Sequence, residues 1–179
     1  MTRGYRVKTM DPMRAAEYGR AWGLGPTTAQ ILLQRGWEER EGSALDWLDP
    51  KLARLTAPDA MADRMRAAKR LAEACRRGQR ISIFGDYDVD GTTSAAILAD
   101  ILEELGAEVH VFVANRFQGG YGFSDPALDR CLAVGPDLII TCDCGSSDHP
   151  RIQRSSDSGV PVIVVDHHLV PKELSLIHI

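Results

Sequence analysis

The chain has 179 residues, four cysteines and a formal net charge of −4, with 44% hydrophobic and 26% charged residues. This ordinary globular composition excludes disorder, collagen, coiled coil and a disulfide scaffold as descriptions of the whole. No apolar run approaches the roughly 20 residues that cross a bilayer, and the start from Met1 to Lys8 lacks a secretory signal, so a cytoplasmic chain with reduced thiols and no membrane partner is expected.

The first 55 residues read as helical and irregular. Gly23, Gly25 and Pro26 break the chain, and Thr27 or Thr28 then caps a short helix through Ile31, Leu32 and Leu33 that ends near Gly36. Ser43 caps a turn containing Leu45, Trp47 and Leu48 that stops at Pro50. A longer helix is expected from Asp59 to Arg77, ended by Gly78. Its apolar positions Met61, Met65, Ala68, Ala72 and Cys75 lie three or four apart, so they should share a core-facing side. Arginines and lysines crowd this stretch, from Arg64 to Arg80, and suit either a phosphate-facing surface or a solvated helix face.

From residue 81 strands alternate with helices. Strands are expected at 81–84, 109–113, 138–142 and 160–165, and helices at 92–105, 124–134 and 147–158. Ser124 caps the second of these helices, with Pro126 in its first turn, and Thr92 and Thr93 are expected to cap the first. The order β-α-β-α-β-α-β implies an α/β fold, an open parallel sheet with flanking helices and right-handed crossovers, preceded by a small helical region. The charge changes with the pattern. Residues 1–80 carry 16 Lys and Arg against 10 Asp and Glu, and residues 81–168 carry 4 against 14.

Three strands run into polar clusters. The first meets Gly85-Asp86-Tyr87-Asp88-Val89-Asp90-Gly91, the third Asp143-Cys144-Gly145, and the fourth Asp166-His167-His168. Parallel strands bring these ends to one edge, where open α/β sheets bind ligands. Several carboxylates a few ångströms apart cannot all stay ionised without a cation. Oxygen-rich ligands with one or two imidazoles favour Mn²⁺ or Mg²⁺ over Zn²⁺. Two ions about 3.5–4 Å apart would suit phosphoester hydrolysis. An EF-hand reading of Asp86-x-Asp88-x-Asp90-Gly91 fails because position twelve is Ile97, not Glu, and a strand precedes the loop. Asp88-Val89-Asp90-Gly91-Thr92-Thr93 also imitates the start of haloacid-dehalogenase phosphatases, a weaker alternative. Cys142-x-Cys144 suits packing better than zinc, since strand alternation turns both away from the Asp143 side chain.

Together, Gly85–Gly91, Asp143–Gly145 and Asp166–His168 resemble the DHH phosphoesterase superfamily. Asn115–Gly122, Leu24-Gly25-Pro26 and Trp47-Leu48-Asp49-Pro50 narrow the likeness to its RecJ branch of single-strand-specific 5′→3′ exonucleases, over about residues 20–172. The resemblance implies that Asp86, Asp88, Asp90, Asp143 and His167 hold two Mn²⁺ or Mg²⁺ ions, Asp143 bridging them. It implies that His168 lies near the scissile phosphate, and that Asp166 orients a histidine from behind. Catalysis then falls to His168, Asp143 and Asp166, with in-line displacement at phosphorus. Arg116 suits a phosphate grip and Tyr121 stacking on a base, while both equally suit ordering a glycine-rich loop. Single-stranded DNA is the implied partner of a monomer acting in DNA repair and recombination, with a single-strand-binding protein or helicase as candidate protein partners.

The implied domains are a helical region at 1–79, a DHH catalytic domain at 80–172, and a truncated or non-native tail at 173–179. The resemblance implies a further metal acid and a second domain after residue 168, and the ending Leu174–Ile179 reads as a translated cloning scar. The chain is therefore read as an N-terminal fragment, folding at least partly and poorly active alone. Two other functions compete: a phosphodiesterase for short oligonucleotides or cyclic dinucleotides, and a non-catalytic DHH-like binding module. Such modules lose metal acids, whereas every acid expected up to residue 168 is present.

Overall fold

The computed structural model describes residues 8–39, 47–49, 51–61, 63–115, 117 and 122–168. The chain divides into two compact units, Met1–Ala57 and Pro58–Ile179.

In the first unit, α1 (Pro12–Trp22) and α2 (Pro26–Gln34) pack together. Asp11 caps α1 by accepting the N–H of Arg14 at 3.0 Å. Gly23, at φ 66, ends it in the left-handed conformation that glycine adopts without a Cβ penalty. The expected threonine cap of α2 is corrected. Gly25 is the cap and Pro26 opens the helix, so Thr27 and Thr28 lie inside it. Proline's fixed φ favours that first position, where its missing N–H costs nothing. The turn expected after Ser43 falls largely outside the described residues.

The second unit holds α3 (Arg64–Arg76), β1 (Arg80–Gly85), α4 (Val89–Glu104), β2 (Glu108–Val113), α5 (Asp125–Leu132), β3 (Leu138–Cys142), α6 (His149–Asp157) and β4 (Val162–Val165). The four strands form one parallel sheet in the order β2-β1-β3-β4. This is the α/β architecture expected from the alternating pattern. Ile81, Ile83, Leu138, Ile140 and Ile163 pack with α3 and α4, and Phe84, Ile139 and Val162 pack with α5 and α6. Helices on both faces explain why β1 and β3 are almost wholly buried.

Three local expectations are corrected. Helix α3 starts at Arg64, because Asp63 at φ 53 interrupts the helical backbone. Its buried side is Ala67, Leu71, Ala74 and Cys75, while Met61 and Met65 are exposed. Both apolar stripes have helical spacing and share Cys75, and the sheet takes the one through Ala67, Leu71 and Ala74. Helix α4 starts at Val89 with Asp88 as its cap, so Thr92 and Thr93 are interior. Their hydroxyls donate back to the carbonyls of Asp88 and Val89, each at 2.6 Å. Cys142 and Cys144 are buried, as packing requires, but in the two different cores. Asp143 lies between them at φ 61, which breaks the strand alternation.

Candidate metal centre

Hydrogen bonding at the carboxyl edge continues one residue past β1 and β3. The N–H of Asp86 donates to the Cys142 carbonyl at 3.1 Å, and that of Asp143 to the Val165 carbonyl at 2.8 Å. Asp86, Asp143 and the Asp166–His168 segment are therefore locked side by side. Helix α4 presses closely on this edge. A Cβ at Gly91 would lie 2.5 Å from the backbone N and O of Asp86, and one at Gly85 would lie 2.5 Å from the Gly91 carbonyl oxygen. Only glycine permits that approach, which brings Asp88 over Asp86.

Two groups of candidate cation ligands form among the described residues: Asp86, Asp88 and Asp143, and Asp143, His167 and His168. Within each, one donor atom per residue lies within 4.8 Å of the others. Asp143 belongs to both, and His167 Nε2 is 3.0 Å from its Oδ1. Asp86 is 1% exposed, and neither of its carboxylate oxygens has a hydrogen-bond partner among the described residues. A buried carboxylate left in that state carries a heavy desolvation cost. A cation beside it removes that cost, so the donor set fits a hard divalent ion.

The surrounding groups separate the acids' roles. Asp88 is held below the usual carboxylate range, chiefly by the Gly91 N–H, which it accepts at 3.0 Å. Burial pushes Asp143 upward, and the charge of Asp88 pushes it the same way. Burial also works against ionised Asp166, but hydrogen bonds from His168 and Ser146 outweigh it and bring Asp166 to about 2. Asp166 Oδ1 is 2.7 Å from His168 Nδ1 and 3.1 Å from its backbone N, and Oδ2 accepts the Ser146 N–H at 3.0 Å. Asp166 thus fixes the His168 ring and stands outside both ligand groups.

The structure does not bring every candidate together. Asp90 sits exposed in the first turn of α4 and joins neither group. It faces a cavity of about 890 Å³ bounded by α3, α4 and β4, which also touches Asp143, Asp166 and His167. His168 enters the second ligand group, a role the sequence reading assigns only to His167. Its Nδ1 lies 3.8 Å from Asp143 Oδ1, a proximity that leaves no mark on motif spacing. Arg116 and Tyr121 lie outside the described residues.

The raised Asp143 carboxyl has a measurable consequence. Cation and proton compete for that carboxyl, so binding should weaken as pH falls into the carboxylate range. Calorimetric titration with Mn²⁺ across that range should show the affinity falling with pH. An affinity indifferent to pH there would show that Asp143 is not a ligand.

Comparison with known proteins gives a consistent set of likenesses. Residues 80–178 match the model of the DHH family, N-terminal domain. The chain is 38% identical over 165 residues to the single-stranded-DNA-specific exonuclease RecJ of Thermus thermophilus, covering 92% of this chain and 23% of that protein. It is 42% identical over 105 residues to the Escherichia coli exonuclease of the same name, covering 58% of this chain and 18% of that one. The chain thus spans only about a quarter or less of these relatives. Among solved structures, exonuclease RecJ bound to manganese matches with a TM-score of 0.56 at 44% identity, over 60% of this chain and 28% of that one. RecJ in complex with Mn²⁺ from Thermus thermophilus matches with a TM-score of 0.56 at 35% identity, over 93% of this chain and 23% of that one.

Proposed function

The chain belongs to the DHH family, and on that premise we propose that it carries the metal-binding part of a phosphodiester hydrolase, a single-stranded-DNA-specific 5′→3′ exonuclease. The observation that carries this reading is Asp86, buried beside Asp88 and Asp143 with no partner for either carboxylate oxygen among the described residues. The named activities of the relatives supply the substrate. The reading extends to a cytoplasmic role in DNA repair and recombination, beside a single-strand-binding protein or helicase.

Asp86, Asp88 and Asp143 would hold one Mn²⁺ or Mg²⁺ ion, and Asp143 and His167 would contribute to a second. When bound, such ions supply positive charge to the attacking and leaving oxygens of a phosphodiester. Asp166 occupies His168 Nδ1, which leaves Nε2 of that ring to donate to a phosphoryl oxygen. Asp88, which accepts the Gly91 N–H at 3.0 Å, ties one acid of the centre to the start of α4. Arg116 and Tyr121 remain the proposed contacts to substrate phosphate and base. Residues 80–172 form the proposed catalytic domain.

The test is an exchange of parts. Residues 80–168 replace the matching segment of the Thermus thermophilus relative, and the chimera is assayed with Mn²⁺ on 5′-labelled DNA. Single strands should be digested at least about 10-fold faster than blunt duplex, with binding that weakens steeply as salt rises. His168→Ala should remove the digestion. Equal digestion of both DNA forms would contradict the substrate assignment.

A further inference from the structure

Helix α3 carries five arginines and lysines, and their surroundings differ. Arg66, Lys69 and Arg76 are exposed. Arg70 donates to Gln79 Oε1 at 2.8 Å and to the Asp137 carbonyl at 3.2 Å. Arg64, the first residue of the helix, is half-buried. It is the one arginine or lysine among the residues that line the cavity of about 890 Å³. Asp90, Asp143, Asp166 and His167 line the same cavity, so this guanidinium and the metal centre share one space.

Arg64 has little to hold it within the protein. Its Nε is buried and has no hydrogen-bond partner among the described residues. One terminal nitrogen reaches the Met65 sulfur at 3.5 Å, a weak acceptor. Asp143 and Asp166 pair with His167 and His168 rather than with Arg64. A buried charged donor left without an acceptor is costly. The acids within reach of the cavity are also those that a divalent ion would claim. The acceptor left for Arg64 is an anion that enters from outside. A guanidinium's planar fork of donors matches phosphate oxygens. Leu71, Leu98 and Ile163 give the same cavity an apolar side, which suits the sugar and base attached to a phosphate.

We propose that Arg64 binds a phosphate of the substrate strand other than the scissile one. The inference rests on the phosphodiesterase reading above and sharpens it. A strand of several phosphates fills both the metal centre and the Arg64 site, whereas a diester with a single phosphate fills one. Arg64 is thus a binding residue that favours a nucleic-acid strand over a small diester.

The test uses the full 179-residue chain with Mn²⁺ and a 3′-fluorescein-labelled thymidine strand with hydrolysis-resistant phosphorothioate linkages, binding being read by anisotropy. Arg64→Gln should raise the dissociation constant at least about 10-fold. It should also lower the slope of log affinity against log salt by about 0.7, the share of one phosphate contact on a single strand. Arg64→Lys keeps the charge without the fork and should recover part of the affinity. Arg66→Gln removes the same charge from an exposed position and should cost less than about 2-fold. A single methylphosphonate, scanned along the strand, should at one linkage weaken wild-type binding as much as Arg64→Gln does, and at that linkage make no difference in the variant. Mn²⁺ should bind Arg64→Gln no more weakly than wild type, because a positive charge has left the cavity. Equal losses from Arg64→Gln and Arg66→Gln would overturn the proposal. So would methylphosphonate effects that persist at every linkage in Arg64→Gln, or a weakened Mn²⁺ site in that variant, which would make Arg64 structural. A wild-type chain that binds Mn²⁺ but no DNA would overturn the nucleic-acid reading itself, and this proposal with it.

Discussion

Asp143→Ala should remove high-affinity Mn²⁺ binding, with an affinity loss of roughly 100-fold or more, beyond the 10- to 100-fold typical of outer-shell partners. Asp143 is the one residue shared by both ligand groups, so its loss leaves Asp86 with Asp88 on one side and the two histidines on the other. Neither remnant retains a third ligand. Alanine at φ 61 would also cost up to about 1 kcal/mol, because it lacks the short polar side chain that helps aspartate and asparagine adopt the left-handed conformation. Asp143→Asn separates the two effects, since asparagine tolerates that conformation but carries no charge. Calorimetric titration of both variants should show the same loss. Retained Mn²⁺ affinity in the asparagine variant would mean that Asp143 is not a ligand.

Gly91→Ala should destabilise the fold by about 1–3 kcal/mol and weaken cation binding together. Helix propensity alone points the other way, favouring alanine in a helix by about 1 kcal/mol. The clash wins because the added Cβ would lie 2.5 Å from the backbone N and O of Asp86, which no side-chain rotation can relieve. Relief requires α4 to lift from β1, taking the Asp88 cap away from Asp86. Urea unfolding measures the first effect and Mn²⁺ titration the second. Ala96→Gly, on the exposed side of the same helix, should cost only about 0.5–1 kcal/mol and leave Mn²⁺ binding unchanged. A Gly91→Ala variant as stable as wild type would show that the approach of α4 to β1 is not needed.

Sheet topology and the three metal motifs are legible in the sequence for a common reason. The strands are short apolar runs between polar turns, and parallel strands must deliver those turns to one edge. The finer assignments depend on facts that spacing does not carry. Asp86, Asp88 and Asp90 look equivalent as alternate residues of a loop. Helix α4 nevertheless begins at Val89, so Asp88 becomes a cap and Asp90 a first-turn residue turned toward the cavity. Helix α3 holds two overlapping apolar stripes of equal spacing, and which one meets the sheet is a matter of tertiary packing that spacing does not carry. His168 becomes a potential ligand through its place beside Asp143 and His167, a proximity in space that motif spacing does not carry.

The most direct measurement is anomalous scattering at the manganese edge from crystals of this chain grown with Mn²⁺. The account predicts a strong peak bounded by the carboxylates of Asp86, Asp88 and Asp143, and a second, weaker peak between Asp143 and His167. Asp86→Asn should erase the first peak. Peaks confined to Asp90 or to the exposed acids of α4, with none beside Asp86, would contradict the assignment of this sheet edge as a metal centre.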